Sequence, residues 1–332
     1  MPLPLLFIVP AAAAGVGGAG KSVKSILDHQ KASSMTNDAN TRVENAKTSL
    51  ENARRNCAEA LNDLGEEKLF VLNHSIPEFI EAFEQLKNVE LTDSLGLEEL
   101  KNFHIDEADF EELKELSHFA VSFAGGAAAG AAGGALTAFG AYSAAMTFAS
   151  ASTGTAIASL SGAAATNATL AFFGGGSLAA GGLGMAGGMM VLGGFVAGPA
   201  LLAMGLIAGK KADTELEQAK ENAAQADEIV KELDTMTFQC NAIRRRTYLF
   251  YALLARLDAL FTPQVFELEE IIVKEGVDFS QFTSASKKKV AACASLAGSI
   301  KAVLDTPILD ESGALTEESL KLSEKLGLTF HI

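Results

Sequence analysis

Residues 216–261 read LEQAKENAAQADEIVKELDTMTFQCNAIRRRTYLFYALLARLDALF, and the spacing of the apolar and small side chains in them decides the fold. Leu216, Ala219, Ala223, Ala226, Ile229, Leu233, Met236, Cys240, Ile243, Thr247, Phe250, Leu254, Leu257 and Phe261 follow one another at steps of three and four. That rhythm places all of them on one narrow seam of a helix, as a helix paired with another long helix requires. The same rhythm runs through Ala39, Val43, Ala46, Leu50, Ala53, Cys57, Leu61 and Leu64. Helices of about 50 to 60 residues reach roughly 75–90 Å at 1.5 Å per residue, so no core of ordinary size buries them. They are expected to pack on each other.

Proline marks the expected interruptions. Pro77 should kink the first helix, which resumes through PEFIEAFEQL (77–86), and Pro263 should kink or break the second. The acidic stretch HIDEADFEELKEL (104–116) opens a helix expected over Asp106–Phe123. The tail predicts a helix over Ser284–Leu304, a turn at Thr306-Pro307, and a capped helix starting near Thr316 in the sequence TEES. No alternating strand pattern occurs, so the fold class is all-α: long kinked coiled-coil helices bracketing an apolar Gly/Ala-rich helical hairpin.

The bracketed segment is the anomaly. Residues 116–209 include no Asp, Glu, Lys or Arg, a run of 94 residues that holds 21 of the 31 glycines. A core helix in water normally keeps charge on its outer face, and about 20 apolar residues suffice to cross a bilayer. The strongest spanning candidates are Phe119–Phe148 and Met189–Ile207. Ser152-Thr153-Gly154, Thr166-Asn167-Ala168-Thr169 and Gly174-Gly175-Gly176 are expected reversals between them. Gly126, Gly130 and Gly134 stand four apart, as do the pairs Gly184/Gly188, Gly194/Gly198 and Gly205/Gly209. Small residues at that spacing let two helix backbones approach closely in lipid. In a soluble helix each glycine costs about 1 kcal/mol relative to alanine.

If the two long helices pair, both lie on one side of a membrane, and the middle crosses it an even number of times, two or four. Lys21 and Lys24, and Lys210 and Lys211, directly follow apolar sequence and mark the membrane boundary, with the coiled body on the cytosolic side. The expected divisions are therefore 1–20 (apolar N-terminal segment), 21–116 (charged coiled-coil helices) and 117–209 (membrane-active region). The remainder divides into 210–275 (second long coiled helix) and 276–332 (short C-terminal helices).

The stretch TGTAIASLSGAAATNATLAFFGGGSLAAGGLGMAGGMMVLGG (153–194), with its flanking helices and the tail VLDTPIL (303–309), resembles a family of uncharacterised bacterial coiled-coil proteins with a central Gly/Ala-rich region. The likeness spans nearly the whole chain and implies no activity and no catalytic residues. In architecture, long helices bracketing an apolar hairpin are similar to α-helical pore-forming toxins of the hemolysin E type.

Composition narrows the remaining classes. The net charge of −15 argues against nucleic acid and against simple adhesion to anionic lipid. Cys57, Cys240 and Cys293 are few and far apart, as reduced cytosolic thiols are. The first 20 residues carry no charge and their lysines follow rather than precede, the reverse of a secretory signal, although Ala11–Ala14 could imitate a cleavage site. His29, His74, His104, His118 and His331 are scattered without zinc spacing, and an acidic helix start accounts for Asp106 and Asp109 beside His104. His118, at the edge of the uncharged run, is a candidate pH sensor. No G-x-S-x-G motif occurs. Arg244–Arg246 and Lys287–Lys289 read as solvated helix faces, with headgroup or partner contact as the alternative.

GVGGAGKS (15–22) satisfies the phosphate-loop pattern through Gly15, Gly20, Lys21 and Ser22. A working loop follows a strand and needs a second strand ending in Asp for magnesium. LLFIV (5–9) could be the first, but Pro10 and four alanines intervene. The nearest imitation of the second, Ala302-Val303-Leu304-Asp305, sits at the end of an amphipathic helix, and a lone strand forms no sheet. The same passage from apolar glycine-bearing sequence into lysine recurs at GLIAGKKAD (205–213), which makes a membrane boundary the simpler account. The expectation is thus a non-enzymatic protein without metal or cofactor, made in the cytoplasm and associated with the bacterial inner membrane. Its partners are a lipid bilayer and further copies of itself, not nucleic acid. It inserts its hairpin and oligomerises to perforate or remodel the bilayer. A soluble coiled-coil scaffold with a buried hairpin and, more remotely, a P-loop NTPase are the alternatives.

Overall fold

The structure, a computed structural model, describes residues 21–89, 105–126, 140, 215–310 and 313–330. The fold is all-α. Its helices are α1 (Lys21–Asn73), α2 (Ser75–Glu84), α3 (Glu107–Gly126), α4 (Glu215–Glu275), α5 (Ser284–Asp305) and α6 (Glu317–Phe330), with a 3₁₀ turn over Phe279–Gln281. No strand forms among the described residues. Two isolated bridges, Lys87 with Asp278 and Leu309 with Leu315, are the extent of extended pairing there.

The two long seams are where the 3/4 spacing puts them. Every seam residue of α1 from Ala39 to Leu64 is buried, as are Ala219, Ala226, Ile229, Cys240, Ile243, Thr247, Phe250, Leu254, Leu257 and Phe261 of α4. Leu233 and Met236 are only half-buried. None of the three cysteines is in a disulfide, and all three are buried.

The interruption expected near Pro77 is present, three residues upstream of it, whereas at Pro263 the helix does not break. The first break comes at His74, a turn residue outside helical geometry, and Pro77 lies inside the first turn of α2. There its missing N–H is one the helix would leave unpaired anyway, so it costs little. Pro263 lies within α4, which continues for twelve residues to Glu275. The buried Phe261, Val265 and Leu268 hold the helix across the lost hydrogen bond. The helix ends instead at Gly276, whose φ of +88° suits glycine and whose N–H donates to the Ile272 carbonyl at 3.0 Å.

By contacts the chain divides into two units, to which the long helices each contribute a segment. In the first (described residues 21–57 and 215–242), Ala39 and Val43 of α1 pack on Ala226 and Ile229 of α4, with Val230 and Leu233 at the margin. Arg42 pairs with Asp227 across that seam. In the second (58–89, 105–126, 140, 243–310 and 313–330), α2, α3 and α4 come together at an aromatic centre in which Phe79 meets Phe261 at 5.4 Å and Phe110 at 6.1 Å. Ser75 of α2 donates to Asp258 of α4 at 2.5 Å.

Capping fixes where the shorter helices of the second unit begin. Asp109 N–H donates to the Asp106 carboxylate at 2.8 Å and Asp106 N–H to the Asp109 carboxylate at 3.3 Å, a reciprocal box that starts α3. Thr283 caps α5 by accepting from Ser286 N–H at 3.2 Å, and Thr316 caps α6 by accepting from Ser319 N–H at 3.2 Å. From Cys293 to Lys301 α5 is buried on every side, which its small residues Ala294, Ala297, Gly298 and Ser299 permit.

Candidate functional site

The uncharged run begins within α3, and its described residues, 116–126 and 140, belong to the second unit. Leu116, Ser117 and Ala120 are buried, whereas Val121 and His118 are exposed. The entry to the run therefore has one face against the helical body.

Gly140 makes the closest approach. A β-carbon there would stand 1.9 Å from the Leu61 carbonyl oxygen and 3.2 Å from the Gly65 amide nitrogen. No residue but glycine fits. Gly65 is the only glycine in the 53 residues of α1, and a mid-helix glycine costs about 1 kcal/mol relative to alanine. It sits, buried, at the turn where the uncharged run meets α1. Leu61, Gly65 and Gly140 thus form a seat for the run on the body.

A buried ionic cluster lies at the root of α3. Lys301 of α5, 7% exposed, donates to Glu112 at 2.9 Å and to Asp305 at 2.5 Å, and stands 3.3 Å from Asp109. Lys68 of α1 is wholly buried within reach of the Asp305 charge. Burial pulls the Lys68 ammonium down to about 7, against the opposing field of Asp305. Burial also disfavours the Lys301 ammonium, but its hydrogen bonds to Asp305 and Glu112 outweigh that and hold its pKa above the usual lysine value. Burial raises the Asp305 carboxyl, with the hydrogen bond from Lys301 opposing, and its second oxygen, Oδ1, is buried without a hydrogen-bond partner. The cluster ties α3 to α5 beside α1. Lys114 adds a more exposed tie from α3 to Glu84 of α2.

Chemically this is an arrangement for holding helices together. Asp305, the sequence's imitation of a magnesium-binding aspartate, ends a helix and is engaged by Lys301. Among the described residues no group of three or more His, Cys, Asp or Glu is placed to hold a metal.

Of the residues singled out from sequence, Lys21, Ser22 and Lys24 open α1 and Gly126 ends α3. Gly15, Gly20, Gly130, Gly134, Gly184, Gly188, Gly194, Gly198, Gly205, Gly209, Lys210 and Lys211 lie outside the described residues. Sequence reasoning missed Gly140 because it looked for glycines four apart within the uncharged run. The available signal was Gly65, a lone glycine on a seam of a charged helix. The cluster was missed because Lys68 and Lys301 stand in helices where lysine ordinarily faces water.

One helix among the described residues, α4, is long and apolar enough to cross a membrane by length and composition. Its most apolar window has a mean hydropathy of 1.2 and is 33% buried. No family model, characterised protein or solved structure matches the chain.

Proposed function

We propose that the chain is a membrane-active, non-enzymatic helical protein that inserts the Gly/Ala-rich region of about residues 119–208 into a bilayer and oligomerises there to perforate or remodel it. The observation that carries the reading is the run of 94 residues without a charged side chain, bracketed by helices that are densely charged. A run of that length offers no charged face to water, whereas lipid asks for none. Its glycines would let neighbouring helices approach closely once water is gone. The body would remain on the cytosolic side, with lysines 21, 24, 210 and 211 at the boundary and the bacterial inner membrane as the site of action. Lys21 would then meet a lipid phosphate rather than a nucleotide.

A second reading is a scaffold that keeps the hairpin packed in its own body. Burial of Leu116, Ala120 and Gly140 favours it, and the same contacts suit the resting form of an inserting protein. Lipid separates the two. Purified protein mixed with dye-loaded vesicles should float with them and release the dye. Vesicles that float without it and stay sealed would return the assignment to the scaffold.

A further inference from the structure

The basic run Arg244–Arg246 has no part in the seat or in the inserting region, and its surroundings give it a role. In the second unit, α4 turns Ile243, Thr247, Phe250, Leu254, Leu257 and Phe261 into the core. The opposite side carries Arg245, Tyr248, Leu249, Tyr251, Arg256 and Leu260, all exposed. Steps of four, seven and four residues from Arg245 through Leu249 and Arg256 to Leu260 align these four in one stripe at 3.6 residues per turn. The tyrosines border it. Tyr248 is 47%, Leu249 43% and Leu260 37% exposed, a large apolar outlay for an outer face. Arg246 is turned aside and donates to Ser319 of α6 at 3.4 Å.

The charge of this face is opposite to that of the chain. Net charge is −15, yet from Arg244 to Leu260 the single acidic residue is Asp258, which is half-buried and accepts from Ser75 on the inner side. Acidic residues bound the face. Asp63, Glu66 and Glu67 of α1 line a groove with Phe70, Tyr248 and Tyr251 on one flank, and Glu267 and Glu270 follow toward the helix end, where they pair with Lys289 and Lys274. We infer that the outer face of α4 between Arg244 and Leu260 is a docking surface for an anionic lipid bilayer. Arginine pairs with phosphate through a planar fork, tyrosine favours the headgroup level, and leucine enters the acyl boundary. Helix α4 lies on the membrane in this arrangement and does not cross it. Crossing would strip Phe250, Leu254, Leu257 and Phe261 from the core, whereas lying flat uses only what is already exposed.

The inference shares a bilayer with the proposed function but calls on different residues. The test is flotation of the full chain with vesicles of phosphatidylcholine alone and with one third phosphatidylglycerol. Variants are Arg245→Glu/Arg256→Glu and Tyr248→Ser/Leu249→Ser, with Lys321→Glu on α6 as control and thermal melts confirming the fold. The wild type and control should float with anionic vesicles, weakly with neutral ones, and less as salt rises. Each double variant should bind anionic vesicles about ten-fold or more weakly. Wild-type protein that ignores anionic vesicles, variants that float like wild type, or a wild-type dimer in solution that the same variants split would each overturn the docking face. Dye release on the same samples keeps the two claims apart. Salt-sensitive flotation without leakage would sink insertion alone, and leakage with unchanged flotation of the variants would sink docking alone.

Discussion

At the scale of single residues, the energetic oddity is Lys68. A lysine with no exposed surface is rare, because burial removes its ammonium from water without returning equal compensation. Its pKa falls from the usual 10.5 to about 7 in the folded chain. The unfolded chain binds the proton more tightly, so this group gives no penalty above about pH 10.5, and stability is lost as pH falls toward 7. Below 7 both states carry the proton and the loss stops growing. The slope between those limits is about 1.4 kcal/mol per pH unit. Lys68→Met should flatten that part of the stability curve, measured by denaturant unfolding from pH 7 to 10. An unchanged slope in the variant would place the buried charge elsewhere. Gly140 gives the second residue-scale prediction. Gly140→Val drives a side chain into the Leu61 carbonyl, and overpacking of this kind costs about 1–3 kcal/mol. The variant should release the uncharged run from its seat, read as faster proteolysis near residue 140 and vesicle binding at lower protein concentration. Wild-type behaviour in both assays would show that the seat does not hold the run.

At the scale of elements, α3 carries the account, because it links the body to the uncharged run. Lys301 holds it to α5 through Asp109 and Glu112. Removing one partner of a buried charged group leaves the other uncompensated, at roughly 3–5 kcal/mol. Glu112 is more exposed than Lys301, so Lys301→Met, which strands Asp305 and the α3 carboxylates together, should be the more damaging change. Hydrogen exchange should quicken across Glu107–Ala120 in Lys301→Met while the α1–α4 seam around Ala39 and Ala226 stays protected. Uniform quickening would mean that the cluster supports the whole fold and not this helix. The helices themselves were legible from the periodicity of their apolar residues, since burial at Ala39, Leu50, Phe250 and Phe261 follows from spacing alone. The interruption near Pro77 falls at His74, next to Asn73, whose carbonyl the ring of Pro77 would meet in a continuous helix. The break allowed for at Pro263 does not occur, because buried neighbours on both sides of it hold the helix together. The seat and the ionic cluster were illegible for a related reason. They join residues far apart in the chain, Leu61 with Gly140 and Lys301 with Glu112, whose meeting is decided by tertiary packing.

At the scale of the whole molecule, the chain combines densely charged helices with a long run that carries no charged side chain. Ala and Gly make that run only weakly hydrophobic, which suits a segment held first against protein and later in lipid. On the proposed reading, insertion would exchange the contacts of the run with the body, the Gly140 seat and the α3 cluster among them, for glycine-mediated contacts between helices in the bilayer. The central claim is that the uncharged run enters the membrane while the body does not. It is tested most directly by placing a polarity-sensitive fluorophore on a single cysteine, Ser150→Cys in the run or Glu59→Cys on the exposed side of α1, with the three native cysteines changed to serine. With vesicles carrying an acyl-chain quencher, the dye at 150 should shift to the blue and be quenched, and the dye at 59 should do neither. A dye at 150 that stays in water, or one at 59 that is quenched as strongly, would contradict the account.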